Sequence, residues 1–173
     1  MKKTIVTLIL LLLMSVSAFA NHPAGWGLGI VGQYDFAWDN NVSAPGAALS
    51  LKAPQSPIYW GLSLALRENG FGVSVTGDRY LVDTTLVREL NFGWFLGLGA
   101  YAGVYIYNSS ESGISLHAGA RAPIGIYIFP VNFLELFLDV APSLGLGLGI
   151  GDRGGIDFPD GGIGGEFGIR FWF

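Results

Sequence analysis

The chain has 173 residues, 51% apolar and 13% charged, with 27 Gly, a net charge of −4 and no Cys. That length suits one domain, and the scarcity of charge excludes a disordered chain. The absence of Cys excludes disulfide scaffolds, Cys-ligated zinc, iron–sulfur clusters, cysteine nucleophiles and Cys-anchored lipoproteins.

Lys2 and Lys3 precede an apolar stretch from Ile5 to Met14, and small residues follow up to Ala18-Phe19-Ala20. A basic start, a short apolar core and an A-x-A site predict a secretory signal peptide over residues 1–20, cleaved after Ala20. The apolar core falls short of the ~20 residues a spanning helix needs. Cleavage removes Lys2 and Lys3 from the 9 basic residues and none of the 13 acidic ones. The remaining domain, residues 21–173, is therefore more acidic than the whole, which speaks against nucleic acid as a partner.

Beyond Ala20 the sequence alternates with period two between clusters of Gly, Pro, Asn and Asp, the pattern of strands and turns. It predicts eight strands, at about 25–36, 45–53, 58–67, 70–82, 93–107, 113–128, 133–149 and 163–173. The fourth loses phase near Gly77-Asp78, where a bulge or a ninth segment would fit. The last three define two faces. One carries large aliphatics and aromatics, such as Ile114, Leu116, Ile126, Leu134, Leu138, Leu146, Ile163 and Phe167. The other carries Gly, small polar groups and charges, including His117, Arg121, Glu135, Asp139, Glu166 and Arg170.

Eight strands enclose an interior only just wide enough for side chains to fill, so the large aliphatics cannot all point inward. With them outward, facing lipid, the backbone demands a closed barrel, and tilted strands of ~9–11 residues span the hydrocarbon. The expected class is all-β: a closed antiparallel up-and-down transmembrane barrel. Aromatics near the strand ends fit interfacial girdles, with Trp26, Trp60, Trp94, Phe129, Phe133 and Phe173 on one rim. Tyr34, Phe36, Trp38, Phe71, Tyr105 and Tyr107 would form the other.

The final strand, Phe167-Gly168-Ile169-Arg170-Phe171-Trp172-Phe173, is amphipathic and ends on Phe. Here the sequence resembles bacterial outer-membrane proteins, whose terminal strand is read by the barrel-assembly machinery; the resemblance carries that role to Phe171 and Phe173. The whole of residues 21–173 resembles the small eight-stranded OmpA/OmpX/OmpW-type barrels, with a spirochaetal branch among them. It implies an outer-membrane location, with lipid and the assembly machinery as partners. The sequence departs from the OmpA family in having no peptidoglycan-binding domain after the barrel, which weighs against a cell-wall tether.

With both termini periplasmic, the outward loops fall at about 37–44, 68–70, 108–112 and 150–162, and a host or other extracellular ligand would be met there. The carboxylates of the last loop could hold a cation but their spacing matches no EF-hand, and no metal or cofactor is expected. Gly25-x-Gly27-x-Gly29-x-x-Gly32 lies inside a strand and lacks the strand–turn–helix setting of a dinucleotide site. Such Gly instead makes room for Tyr101, Tyr105, Phe137 and the arginines. Counting about a turn at Val131 sets Arg121 opposite Ala141, one pleat from Asp139. An Arg121–Asp139–Arg170 cluster follows, balanced by Glu135 or Glu166, with Lys52, Arg67, Asp78 and His117 completing the lumen set.

Such charges read either as a salt-bridge plug or as an ion path. Lipid-A deacylases on this fold use a His-x-Ser, whereas His117 is followed by Ala118-Gly119 and preceded by Ser115. An enzyme is not expected. The leading expectation is a plugged structural barrel, with a narrow channel or carrier for small or apolar solutes, or a surface adhesin acting through the short acidic outer loops, as the alternatives.

Overall fold

The computed structural model describes residues 22–37, 44–67, 70–107, 113–151 and 154–173. The expected leader and Trp38 lie outside the described residues. The strands are β1 (Gly27–Ala37), β2 (Ala44–Lys52), β3 (Ile58–Arg67), β4 (Gly70–Val87), β5 (Phe92–Tyr107), β6 (Gly113–Arg121), β7 (Ile124–Val131), β8 (Leu134–Gly151) and β9 (Gly155–Trp172). A single 3-10 turn, Arg88–Leu90, joins β4 to β5.

Neighbours run β4-β3-β2-β1-β9-β8; β6 and β7 then lie between β8 and β5, and β5 pairs back to β4. The ring is closed, and all its pairings are antiparallel. The predicted strand 113–128 is divided in two because Pro123 has no N–H to give a neighbour. Its carbonyl still accepts from the Gly97 N–H at 2.7 Å, and the Ala122 N–H donates to the Pro142 carbonyl at 2.9 Å. β6 and β7 are therefore two lengths of one stave, and the barrel has eight staves.

Two other expectations change. β4 runs on to Val87, and its register shifts between Tyr80 and Val82 and again between Thr85 and Val87, not at Gly77-Asp78. The first bulge turns both Tyr80 and Asp83 inward, which strict alternation would forbid. The segment expected as an outer loop at 150–162 is mostly strand: β9 begins at Gly155, and Gly147 still pairs with Asp157. Backbone pairing here continues beyond the point where aliphatic alternation stops, so the apolar pattern marks too short a strand.

The parity of the faces gives the barrel its two surfaces. Leu28, Ile30, Leu49, Leu62, Leu138, Leu144, Leu146 and Phe167 are each about half exposed on the outside. The interior holds Val31, Tyr59, Phe95, Tyr127, Phe137 and Trp172 together with buried Lys52, Asp78, Glu135, Asp139 and Arg170. No water reaches backbone inside a bilayer, and a closed ring with this exterior satisfies every stave by pairing. Of the expected rim aromatics, Phe129 and Tyr105 point inward and are buried. The register shift between Ile128 and Val131 turns Phe129 in.

Inward Gly leaves space for large groups. A Cβ on Gly27 would lie 2.9 Å from the Arg170 side chain, and one on Gly168 would collide with the Phe137 ring.

Candidate functional site: the charged lumen

At the end of the barrel that carries the termini, Trp26 and Phe173 exchange backbone hydrogen bonds, 3.2 and 2.8 Å. Just before β1 the chain folds back into the lumen and buries His22. Its Nδ1 is 2.8 Å from Asp83 Oδ2 and its Nε2 is 3.2 Å from Glu135 Oε1; its backbone N–H donates to Asp83 Oδ2 at 3.1 Å. A ring with a carboxylate at each nitrogen donates twice, which only the imidazolium can do. Burial alone would pull the His22 pKa down; Glu135 and Asp83 overcome it and raise the group above its ordinary value.

Six aromatic rings surround this imidazolium: Tyr127 at 4.3 Å between centroids, Tyr80 at 5.6, Tyr59 and Phe129 at 5.8, Trp172 at 5.9 and Phe95 at 6.4. Glu135, with no exposed surface, links His22 to the next layer. Arg170 Nη1 donates to both its oxygens, at 2.9 and 2.8 Å, and Trp172 Nε1 donates to Oε2 at 2.8 Å. The remaining guanidinium donors reach Ser50 Oγ at 3.2 and 3.0 Å. The faces of the guanidinium meet Phe137 at 4.6 Å and Tyr59 at 5.0 Å. Two cations and two carboxylates neutralise one another here, and their hydrogen bonds leave the ions desolvated but paired.

Higher in the lumen, Arg121 forms a second cluster. Its Nη2 is 2.6 Å from Glu166 Oε1 and its Nε is 3.3 Å from Asp78 Oδ1. Asp139 stands directly across the β8–β9 pair from Glu166, is 5% exposed, and leaves Oδ1 without a hydrogen-bond partner. Above it lies a cavity of about 230 Å³ at the loop end of the barrel. There Asp160 Oδ1 is 3.0 Å from His117 Nδ1, and Asp160 Oδ2 accepts from the Tyr101 hydroxyl at 3.3 Å.

The single Arg121–Asp139–Arg170 cluster expected from counting is thus two clusters. Arg121 stands opposite Ser143, not Ala141, because the turn at Asn132-Phe133 and the shift beside it displace the register by two residues. Arg170 takes Glu135, Arg121 takes Glu166, and Asp139 lies between them in neither ion pair. His117 lies in the upper cavity, and Phe171 and Phe173 face outward. Sequence reasoning missed His22 and Asp83 in the lower cluster, and took Asp157 and Asp160 for loop residues. His22 carries no local signal, since it meets Asp83 and Glu135 only through the closed ring.

No protein-family model matches the chain, and no curated protein matches it. Among solved structures it is similar to the N-terminal β-barrel domain of OprF from Pseudomonas aeruginosa, at 11% identity and a TM-score of 0.54, over 85% of this chain and 97% of that one. It is similar also to Neisserial surface protein A, again at 11% identity and a TM-score of 0.54, over 86% of this chain and 97% of that one. At such identity the likeness is one of architecture. The fold of this chain is that of the small bacterial outer-membrane β-barrels.

Proposed function

We propose that the chain is a non-enzymatic integral outer-membrane barrel whose lumen is closed by its own side chains, with a structural and surface role. One observation carries this reading: Glu135 is wholly buried where His22, Arg170 and Trp172 meet, and six aromatic rings enclose the imidazole beside it. An ion path needs water or mobile charge along its length, and in this layer His22, Asp83, Glu135 and Arg170 are tied to one another as ion pairs. For chemistry, both nitrogens of His22 are taken by carboxylates, and Nδ1 of His117 is taken by Asp160.

The outward aliphatics face outer-membrane lipid. Phe171 and Phe173, 44% and 77% exposed, are available to the barrel-assembly machinery during insertion. The loop end is the surface a host or other extracellular ligand would meet. The reading is tested by planar-bilayer recordings of the refolded protein beside Arg121→Ala and His22→Ala. Wild type is expected to give no steady unit conductance, and His22→Ala to give transient openings. A steady conductance in wild type would establish the channel alternative instead.

A further inference from the structure

We infer that the cavity at the loop end is a blind binding site for a slender organic polycation, an aliphatic diamine or polyamine. It rests on the closed-lumen reading only in being blind; its chemistry comes from the walls. The cavity of about 230 Å³ shares Gln33, Ser63, Thr76 and Glu166 with a smaller chamber of about 30 Å³ beneath it. Asp139 lines that lower chamber, nearly fully buried, and among the described residues its Oδ1 accepts no hydrogen bond and no cation lies within ion-pair distance. Asp78 also lines it, and both it and Glu166 are already held by the one Arg121. Arg170 also lines the chamber but is committed to Glu135, so Asp78, Asp139 and Glu166 are left to Arg121 alone; a buried acceptor in that state calls for a donor.

The upper walls offer the same sign and a suitable shape. Asp157 and Asp160 on β9 look onto a tyrosine wall on β5, where Tyr101 reaches Asp160 and the Tyr105 and Tyr107 rings lie 4.5 Å apart. Phenol faces accept ammonium groups and methylenes alike. An ammonium on a flexible alkyl chain can pass between the shared walls to Asp139 and Glu166 and donate three hydrogen bonds. A second ammonium is then left at the level of Asp157 and Asp160. A metal ion fits less well: among the described residues no three carboxylates or imidazoles converge closely enough to ligate one. The acceptors are spread along a depth, and a linear cation matches that distribution where a point cation does not.

The test is calorimetric titration of the full refolded chain in nanodiscs of zwitterionic lipid with putrescine and spermidine. Butane-1,4-diol and succinate serve as neutral and anionic probes of similar length. Saturable one-to-one binding of the amines is expected, with no heat of binding from the diol or succinate. Asp139→Asn should weaken amine binding at least tenfold. Asp157→Asn, at an exposed position outside both ion-pair clusters, should weaken spermidine severalfold and carries the test if the buried variant does not fold. Absence of saturable amine binding to wild type overturns the inference, as does binding that Asp157→Asn leaves unchanged. The closed-lumen reading is untouched by either result, because it is judged by conductance.

Discussion

Four hydrogen bonds from three donors converge on the two oxygens of Glu135: one from the imidazolium of His22, two from Arg170 Nη1 and one from the indole of Trp172. Deleting one member of such a group strands the others without solvent, which costs more than the group gives when whole. Glu135→Ala is therefore expected to destabilise the barrel by about 3–5 kcal/mol, measured as urea unfolding in lipid vesicles. The double variant Glu135→Leu with Arg170→Met should recover much of that loss, because it removes both charges together. If the double variant were the worse, the ion pair would be a net source of stability. His22 adds a pH dependence. Its folded pKa lies above the unfolded one, so its contribution is full below the ordinary imidazole range and fades as pH rises through the raised value. The stability difference between wild type and His22→Gln should thus be largest in mild acid and shrink toward alkaline pH; a difference that grows with pH would contradict the imidazolium. At this scale the sequence was half legible. Parity alone turns Glu135 and Arg170 inward, but nothing local marks His22, whose partners are 61 and 113 residues away.

Strand parity was legible because lipid imposes it over whole staves, from β1 to β9, and each aliphatic repeats the same message. Register was not, since it hangs on single turns. One extra residue at Leu81 sends Asp83 toward His22, and the turn at Asn132-Phe133 moves Arg121 two places further from Asp139 than simple counting sets it. Pattern reading also cut β9 short, because its upper half pairs without alternating. A prediction at this level concerns the fit between neighbouring staves. Gly168 sits where a Cβ would strike the Phe137 ring, and that ring lies against the Arg170 guanidinium. Gly168→Val should lower stability by about 1–3 kcal/mol through overpacking, and adding Phe137→Leu should restore most of it. Failure of that pairing to restore stability would place the strain in the backbone and not in the ring.

For the molecule as a whole, most of the aliphatic residues form an outer surface, and the interior is built largely from ions, aromatic rings and glycine. The usual direction of substitution effects is therefore reversed between the two faces. Leu144→Arg, on the outer face of β8, is expected to cost about 2–4 kcal/mol if it lies near the bilayer midplane. Ser143→Thr, its inward neighbour, should cost far less; both follow from unfolding in vesicles of defined thickness. Equal effects at the two positions would mean that the exterior does not face lipid.

The hook at His22 finally puts events in order. Its carboxylates come from β4 and β8, and its indole neighbour from β9, which meets β1 only when the ring is shut. Until that seam forms, the imidazole has no complete cage to enter. The first described residue of the chain is thus among the last to be seated, and its burial is a latch that records the finished barrel. Trp172, 5.9 Å from the imidazole, makes that moment visible as a late change in indole emission during refolding, absent in His22→Ala.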